Sequence, residues 1–193
     1  MSYSWWRINR VSEMLRICIS GLTCSGKTSL GKELSEDLGV MHITKTITEA
    51  YRQFEKDNPK GRLERIRETS NIKYADSFEN QVEGLAKEND CVVTTWIGPW
   101  RVKDPTLRIW LNSHLDQRAI RCAKRQNLSL GAAKRYVLEK DKENIKVFKK
   151  LYGINMNERS NFDIEINTRR LSRKEIVSLI SMLAIGKEKK RFR

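Results

Sequence analysis

The sequence is poor in the residues that build zinc centres and disulfide frameworks. Its 193 residues include four cysteines and only two histidines. The cysteines, at positions 18, 24, 91 and 122, form no C-x-x-C pair, and neither histidine has a second His or Cys at ligand spacing. We therefore expect no cysteine-bound metal and no disulfide, which suits a reducing cytosol.

Long apolar runs are also missing. No stretch approaches the roughly 20 apolar residues that a membrane span needs. The segment MSYSWWRINRVSEM lacks the apolar core and cleavage site of a signal peptide. Hydrophobic residues make up 39% and charged residues 32%, as in a soluble globular domain. We expect one cytoplasmic domain with no membrane contact, present as a monomer.

Positive charge is abundant. Thirty-eight Lys and Arg residues against 24 acids give a net charge of +14. A positive field attracts phosphates, whether these belong to nucleotides or to nucleic acid. The charge therefore suggests a nucleotide ligand or non-specific nucleic-acid binding, and a merely solvated basic surface is the alternative.

Short apolar runs alternate with helix-favouring stretches along the chain. The pattern predicts strands at 15–20, 40–44, 91–95, 107–111 and 162–166. It predicts helices at 27–38, 115–125, 130–151 and 173–183, with two or three surface helices between 46 and 87 and a turn at 96–100. This alternation is typical of an α/β domain with a mainly parallel sheet.

The segment from Gly21 to Thr28 reads G-x-x-x-x-G-K-T between a predicted strand and a predicted helix. Its glycines allow backbone N–H groups to face phosphate oxygens at the N-terminus of the helix. Lys27 is predicted to reach the β- and γ-phosphates and the Thr28 hydroxyl to coordinate Mg²⁺. The predicted ATP-binding residues are Gly21, Leu22, Thr23, Cys24, Ser25, Gly26, Lys27, Thr28 and Ser29.

The size of the chain and a missing motif narrow the class of enzyme. A chain of 193 residues is short for a motor ATPase, and the N-K-x-D sequence that reads guanine is absent. Both observations favour a small phosphotransferase.

Arg118, Arg121 and Arg125 are spaced i, i+3 and i+7, so they share one face of a predicted helix. Asp116 is nearly the only acid nearby, so an ion-pair ladder is not evident. We predict that these arginines are catalytic, cancelling charge on the transferred phosphoryl group as a basic lid closes. A solvated cationic face and a nucleic-acid surface are the alternatives.

Three segments resemble the archaeal-type cytidylate kinases, which are P-loop nucleoside monophosphate kinases. They read CISGLTCSGKTSLGKELSEDLGV, LRIWLNSHLDQRAIRCAKRQNLS, and KLYGINMNERSNFDIEINT followed by LSRKEIVSLI. The last block is similar to the family signature Y-G-I-(D/N)-…-I-N-T, which is more discriminating than the P-loop. The resemblance covers residues 14–184 and implies a three-layer P-loop NTPase fold with five parallel strands. It also implies transfer of the γ-phosphate from ATP to CMP or dCMP, with Mg²⁺.

The same resemblance implies a division of the chain. Residues of about 45–90 correspond to the helical monophosphate-binding segment and about 126–150 to the lid. Thr46 and Arg52 match the start of the family's monophosphate helix, so they are predicted to bind the acceptor, with Arg52 on its phosphate. Residues 1–13 form an extension that we expect to be poorly ordered or packed outside the core. Residues 185–193 form a basic tail.

The sequence departs from the family after the third strand. Many relatives carry an acid-Gly-Arg triplet where this chain reads Thr94-Thr95-Trp96, and a later lid arginine is replaced by Lys140. Arg101 is a candidate replacement for the missing arginine. Trp96 is a candidate for stacking on the acceptor base, with a place in the core as the alternative. Two other hypotheses stay open: a kinase of AMP or UMP, and an ATP-binding protein acting on RNA or ribosomal particles.

Overall fold

The structure, a computed structural model, describes residues 14–44 and 71–190. Strands and helices alternate through these residues. The elements are β1 (Arg16–Gly21), α1 (Lys27–Leu38), β2 (Met41–Ile43), α2 (Asn71–Glu88), β3 (Cys91–Val93), α3 (Gly98–Arg101), β4 (Leu107–Asn112), α4 (Leu115–Gln126), α5 (Leu130–Tyr152), β5 (Ile164–Asn167) and α6 (Arg173–Lys190).

Strand β1 lies at the centre of a five-stranded sheet with the order β2-β3-β1-β4-β5. All its strand pairs are parallel, with Cys18 opposite Val93 on one side and opposite Arg108 on the other. The predicted parallel α/β fold is confirmed. Because the carboxyl ends of parallel strands share one edge, the loops that follow β1, β3, β4 and β5 meet there.

Helices cover both faces of the sheet and give it three layers. On one face α1 and α6 pack against alternate residues of β1 and β4, around Ile17, Ile109 and Ile180. On the other face α2 packs through Val82, and the end of α5 joins Trp110 in an aromatic cluster. Burying apolar side chains on both faces is what makes the strands read as continuous hydrophobic runs.

Two elements differ locally from their predictions. Strand β3 ends at Val93 rather than residue 95, because the chain turns away after the Thr94 N–H donates to the Ile43 carbonyl at 2.9 Å. The predicted turn at 96–100 contains part of the short helix α3, which has Pro99 near its start. Proline is favoured there since the first helical N–H groups have no partner within the helix.

The last helix is longer than predicted. Helix α6 continues to Lys190, so residues 185–190 of the predicted basic tail belong to it. The extension at 1–13 and the part of the monophosphate-binding segment at 45–70 lie outside the described residues. No helix in the described ranges has the length and apolar character needed to cross a membrane.

All four cysteines are free thiols. Cys18 and Cys91 lie within buried strands, as the sequence predicts. Burial raises the pKa of both thiols, that of Cys91 to about 12. They pack as small hydrophobic side chains.

Candidate active site

The phosphate-binding loop joins the central strand β1 to helix α1, as its motif predicts. The loop turns at Ser25, whose N–H donates to the Leu22 carbonyl at 3.1 Å. Gly26 precedes α1 with φ 101°, in the left-handed region that glycine adopts without steric cost. Cys24 has φ 61°, which is uncommon for a residue with a side chain. The loop therefore places its amides at a helix N-terminus, where anions bind.

Lys27 lies across its own loop. The residue is only 8% exposed. Its Nζ donates to the Leu22 carbonyl at 3.3 Å and lies 4.8 Å from the centre of the Trp96 ring. Burial lowers the pKa of Lys27 to about 8, and the Asp141 carboxylate acts in the opposite direction. The ammonium group is thus held at the loop that is expected to bind phosphate.

The three predicted arginines of α4 all contact the phosphate-binding loop. Arg118 Nη1 donates to the Thr23 carbonyl at 3.1 Å, and Arg121 Nη1 donates to the Ser25 carbonyl at 2.9 Å. Arg125 Nη2 lies 3.3 Å from Cys24 Sγ. The shared helix face predicted from their spacing therefore lies directly against loop residues 23–25.

Arg118 has an acidic partner that lies far from it in the sequence. Its Nη1 lies 2.5 Å from Oδ2 of Asp141, which comes from helix α5. Both residues are buried. Asp116, the nearest acid in sequence, instead bonds Lys134 Nζ at 2.7 Å. Sequence reasoning missed Asp141 because its partners are brought to it only by the packing of α4, α5 and the loop.

Arg121 also joins the ends of two strands. Its Nη1 donates to Ser113 Oγ at 3.1 Å, and its Nη2 lies 3.5 Å from Thr168 Oγ1. Ser113 follows β4 and Thr168 follows β5. Neither was predicted, although residues just beyond the carboxyl ends of parallel strands are those that such a sheet places at a ligand site.

A cavity of ≈ 450 Å³ opens beside the loop, between α4 and the start of α6. It is lined by loop residues 24–29 and by five cationic side chains, Lys27, Arg121, Lys124, Arg125 and Arg173. Among the described residues, no carboxylate lines it. A cavity of this size and charge fits a polyanionic ligand such as a nucleoside triphosphate.

The residues at the loop also fit Mg²⁺ bound together with phosphates. Thr28 is exposed in the first turn of α1 and lines the cavity. Mg²⁺ keeps several waters and takes few protein ligands where phosphate oxygens supply the others. The Thr28 hydroxyl is placed to supply one such ligand. In the described ranges no group of three His, Cys, Asp or Glu side chains forms a separate metal site.

Of the predicted acceptor residues, Trp96 lies beside the phosphate-binding loop and Arg101 lies beside α2. The Trp96 ring packs on Phe148, with 5.9 Å between ring centres, and on the Lys27 ammonium. Arg101 Nε lies 2.5 Å from Glu83 Oε1, and its Nη2 donates to Asn80 at 3.1 Å. Arg101 is thus paired with α2, which belongs to the predicted monophosphate-binding segment. The other two acceptor candidates, Thr46 and Arg52, lie outside the described residues.

The carboxyl end of β3 carries hydroxyl groups where the family triplet has an acid. Thr94 Oγ1 lies 3.0 Å from His42 Nε2 on the neighbouring strand. Thr95 is buried, and its Oγ1 has no hydrogen-bond partner within the described part of the chain. This turn therefore supplies neither a carboxylate nor a guanidinium group to the site.

The fold and the site together define a P-loop phosphotransferase. Solved structures with the same fold include an uncharacterized protein from Eubacterium ventriosum, with a TM-score of 0.68 and 14% identity over 89% of this chain and 98% of that one. They also include shikimate kinase from Bacteroides thetaiotaomicron, with a TM-score of 0.53 and 18% identity over 89% and 98%. At these identities the likeness shows the fold alone.

Sequence comparison gives the family. Residues 16–170 match the cytidylate kinase-like family. The chain is 32% identical over 171 residues to cytidylate kinase from Pyrococcus horikoshii, covering 87% of each chain. It is 34% identical over 157 residues to that from Thermococcus kodakarensis, covering 80% of this chain and 79% of that one. The chain therefore belongs to the cytidylate kinase-like family, and the resemblance seen in its motifs is confirmed.

Proposed function

We propose that the protein phosphorylates CMP or dCMP with ATP. A phosphate oxygen of the monophosphate attacks the γ-phosphorus, the bond to the β–γ bridging oxygen breaks, and ADP leaves with that electron pair. No general base is required because the attacking oxygen is already anionic. One observation carries the proposal: in a chain of this family, the P-loop, Lys27 and two α4 arginines converge on a single basic cavity.

The donor side of the site is assigned to the loop and its cations. Residues Gly21–Ser29 bind the ATP phosphates through those of their backbone N–H groups that have no partner within the protein. Lys27, Arg121 and Arg125 line the cavity and cancel negative charge as the phosphoryl group moves. Thr28 holds Mg²⁺, which when bound neutralises phosphate charge. Arg118 belongs to the same helix face but contacts the loop backbone.

The acceptor side is assigned to Thr46, Arg52, Trp96 and Arg101. The match to the family's monophosphate helix supports the first two residues. The position of Trp96 beside the loop supports the third. Arg101 is held by Glu83, so binding an acceptor phosphate requires it to exchange that partner.

The proposal also covers the oligomeric state, the cellular location and the partners of the protein. The protein acts as a cytoplasmic monomer with ATP and CMP as substrates, and its basic surface also binds nucleic acid non-specifically. Family membership favours a kinase over an ATP-binding protein that acts on RNA or ribosomal particles. A kinase of AMP or UMP is the nearest competing proposal.

The experiment is ATP-dependent ADP release measured across CMP, dCMP, UMP, AMP and GMP, with and without Mg²⁺. We expect turnover with CMP or dCMP that exceeds turnover with the other three. Faster turnover with AMP, UMP or GMP would reassign the acceptor. Absence of turnover with all five substrates, with ATP binding intact, would overturn the kinase proposal.

A further inference from the structure

Asp141 is a buried carboxylate in the middle of helix α5. It is 6% exposed and lies on the face of the helix turned toward the rest of the protein. A buried carboxylate is costly to desolvate unless it is paired and hydrogen-bonded. Both of its oxygens have such partners. One partner is a backbone N–H of the phosphate-binding loop, and the other is an arginine that itself contacts the loop.

The two oxygens of Asp141 bind different groups. Oδ1 accepts from the Thr23 N–H at 2.8 Å, and Oδ2 lies 2.5 Å from Arg118 Nη1. Arg118 Nη1 also donates to the Thr23 carbonyl at 3.1 Å, and its Nε donates to the Ser113 carbonyl at 3.1 Å. Asp141 and Arg118 thus hold both backbone polar groups of Thr23 from two helices.

The contacts to Thr23 matter because the residue after it has an uncommon backbone conformation. The next residue, Cys24, has φ 61°, a conformation that is unfavourable for a residue with a side chain. Such a backbone persists only where its surroundings fix it on both sides. Fixing the Thr23 peptide sets the direction of the amides that follow it, and these amides bind phosphate.

Arg118 differs from its two neighbours on α4 in where it points. Arg121 and Arg125 line the cavity beside the loop, whereas Arg118 does not. Its Nε donates to Ser113, and its Nη1 donates to both Thr23 and Asp141. We infer that Asp141 is a positioning residue for nucleotide binding, which acts through Arg118 and Thr23 to hold the phosphate-binding loop in its binding conformation. The inference rests on the proposed ATP-dependent function.

The test is the variant Asp141→Asn, which keeps the size and one oxygen acceptor but removes the charge. The matched control is Glu139→Gln, which also replaces a carboxylate by an amide, at an exposed position two residues earlier on α5. We expect the Kd and the KM for Mg·ATP to rise about tenfold in Asp141→Asn. The KM for CMP should stay within about twofold of the wild type, since the loop binds only ATP.

Amide hydrogen exchange gives a readout that does not depend on turnover. Exchange in residues 21–28 should accelerate in Asp141→Asn and stay unchanged in Glu139→Gln. A folded Asp141→Asn with wild-type ATP affinity and wild-type exchange in the loop would overturn the inference. So would an equal rise in KM for both substrates, because that pattern indicates general destabilisation.

A second variant, Arg118→Lys, decides the matter if Asp141→Asn fails to fold. Lysine keeps the buried charge pair, but its ammonium cannot reproduce the fork that binds Thr23, Ser113 and Asp141 together. We expect it to raise the Kd for Mg·ATP and the loop exchange in the same direction. Wild-type values in folded Arg118→Lys would contradict the inference. If the wild type binds ATP but does not phosphorylate CMP, the proposed function is wrong. The ATP affinities of the variants then still test the role of Asp141.

Discussion

At the residue scale, Lys27 is held by one contact with its own loop and by one contact with Trp96, which follows β3. Its ammonium group lies between the Leu22 carbonyl and the face of the Trp96 ring. A cation on the face of an indole ring is attracted by the ring's quadrupole. The charge that the proposed reaction uses is therefore fixed beside the phosphate-binding loop by two contacts from different parts of the fold.

Replacing Lys27 by Met should abolish most of the activity without unfolding the protein. Met keeps the apolar part of the side chain but removes the charge that stabilises the transferring phosphoryl group. We expect kcat to fall at least about 10²-fold, measured as ADP release with CMP. The control is Lys32→Met, an exposed lysine on the same helix whose ion pair with Glu36 adds little. Equal activity of the two variants would contradict the role of Lys27.

His42 makes folding stability depend on pH. Burial lowers the pKa of His42 below its usual 6.5. The Glu36 charge acts to raise this pKa, and the Lys32 charge acts to lower it. The folded protein therefore binds this proton less readily than the unfolded chain does, and stability is lost as the pH falls below 6.5. We expect the melting temperature to fall between about pH 7.5 and about pH 5.5, and to fall less in His42→Gln.

His114→Gln is the matched control for this experiment. His114 lies at the N-terminus of α4 with its side chain largely exposed. Its replacement should leave the dependence of the melting temperature on pH close to that of the wild type. If His42→Gln keeps the wild-type dependence as well, the buried histidine is not its source.

The loop could be predicted from the sequence because its spacing encodes its backbone. Gly21, Gly26 and Lys27 lie where the motif requires them, and the arginine face followed from the periodicity of a helix. Asp141 could not be predicted. It is 118 residues from Thr23. Its spacing from Ala133 and Val137 places it on the buried face of α5, unlike the exposed Glu139 and Glu143, but its partners are set by tertiary packing.

At the element scale, helix α1 approaches the sheet closely at Gly31. A methyl group at this position would overlap the Thr94 side chain and lie 2.8 Å from His42 Nε2. The glycine thus sets how near α1, and with it the start of the phosphate-binding site, lies to β2 and the end of β3.

The helical glycines Gly31 and Gly84 should respond oppositely to alanine. Gly31→Ala should lose about 1–3 kcal/mol of unfolding free energy because the added methyl group overpacks the contact with the sheet. Gly84→Ala in α2 should gain up to about 1 kcal/mol, since alanine favours helix and its methyl group meets nothing within 4 Å. Urea denaturation measures both. A stabilised Gly31→Ala would show that α1 can move away from the sheet without cost.

Most elements were predictable because buried parallel strands are continuous apolar runs and helices show their own period. The predicted boundaries differ from the observed ones at residues 98–101 and after residue 183. Proline and glycine at 98–99 indicate a turn, yet a short helix forms there, with Gly98 close to the Val93 side chain of β3. Helix α6 extends past residue 183 and continues through Gly186, a residue type that often ends a helix, into lysine and glutamate residues that favour helix.

At the scale of the whole molecule, nucleotide binding should stabilise the fold. Mg·ATP at about 100 times its Kd adds about 2.7 kcal/mol, which raises the melting temperature of a domain of this size by roughly 5–10 °C. Thermal unfolding with and without Mg·ATP measures the shift. Lys27→Met should show a much smaller shift at the same concentration. An equal shift in both proteins would place the nucleotide away from the loop.

The net charge of +14 predicts salt-sensitive binding of nucleic acid. Binding of a single-stranded RNA should be measurable at about 50 mM salt and weaken at least about tenfold by about 200 mM, as phosphate contacts are screened. Fluorescence anisotropy at several salt concentrations measures this. No binding at the lowest concentration would show that the basic surface serves only nucleotides and solvent.

The central position of β1 has a consequence for synthesis of the protein. Its neighbours β3 and β4 are made long after it, and Asp141 follows Thr23 by 118 residues. At about 5–20 residues per second, the nascent loop stays without this partner for roughly 6–24 s. The phosphate-binding loop is thus made well before the residue of α5 that holds it in place. With the proposed role of Asp141, tight binding of ATP to the new chain has to wait until residue 141 has been translated.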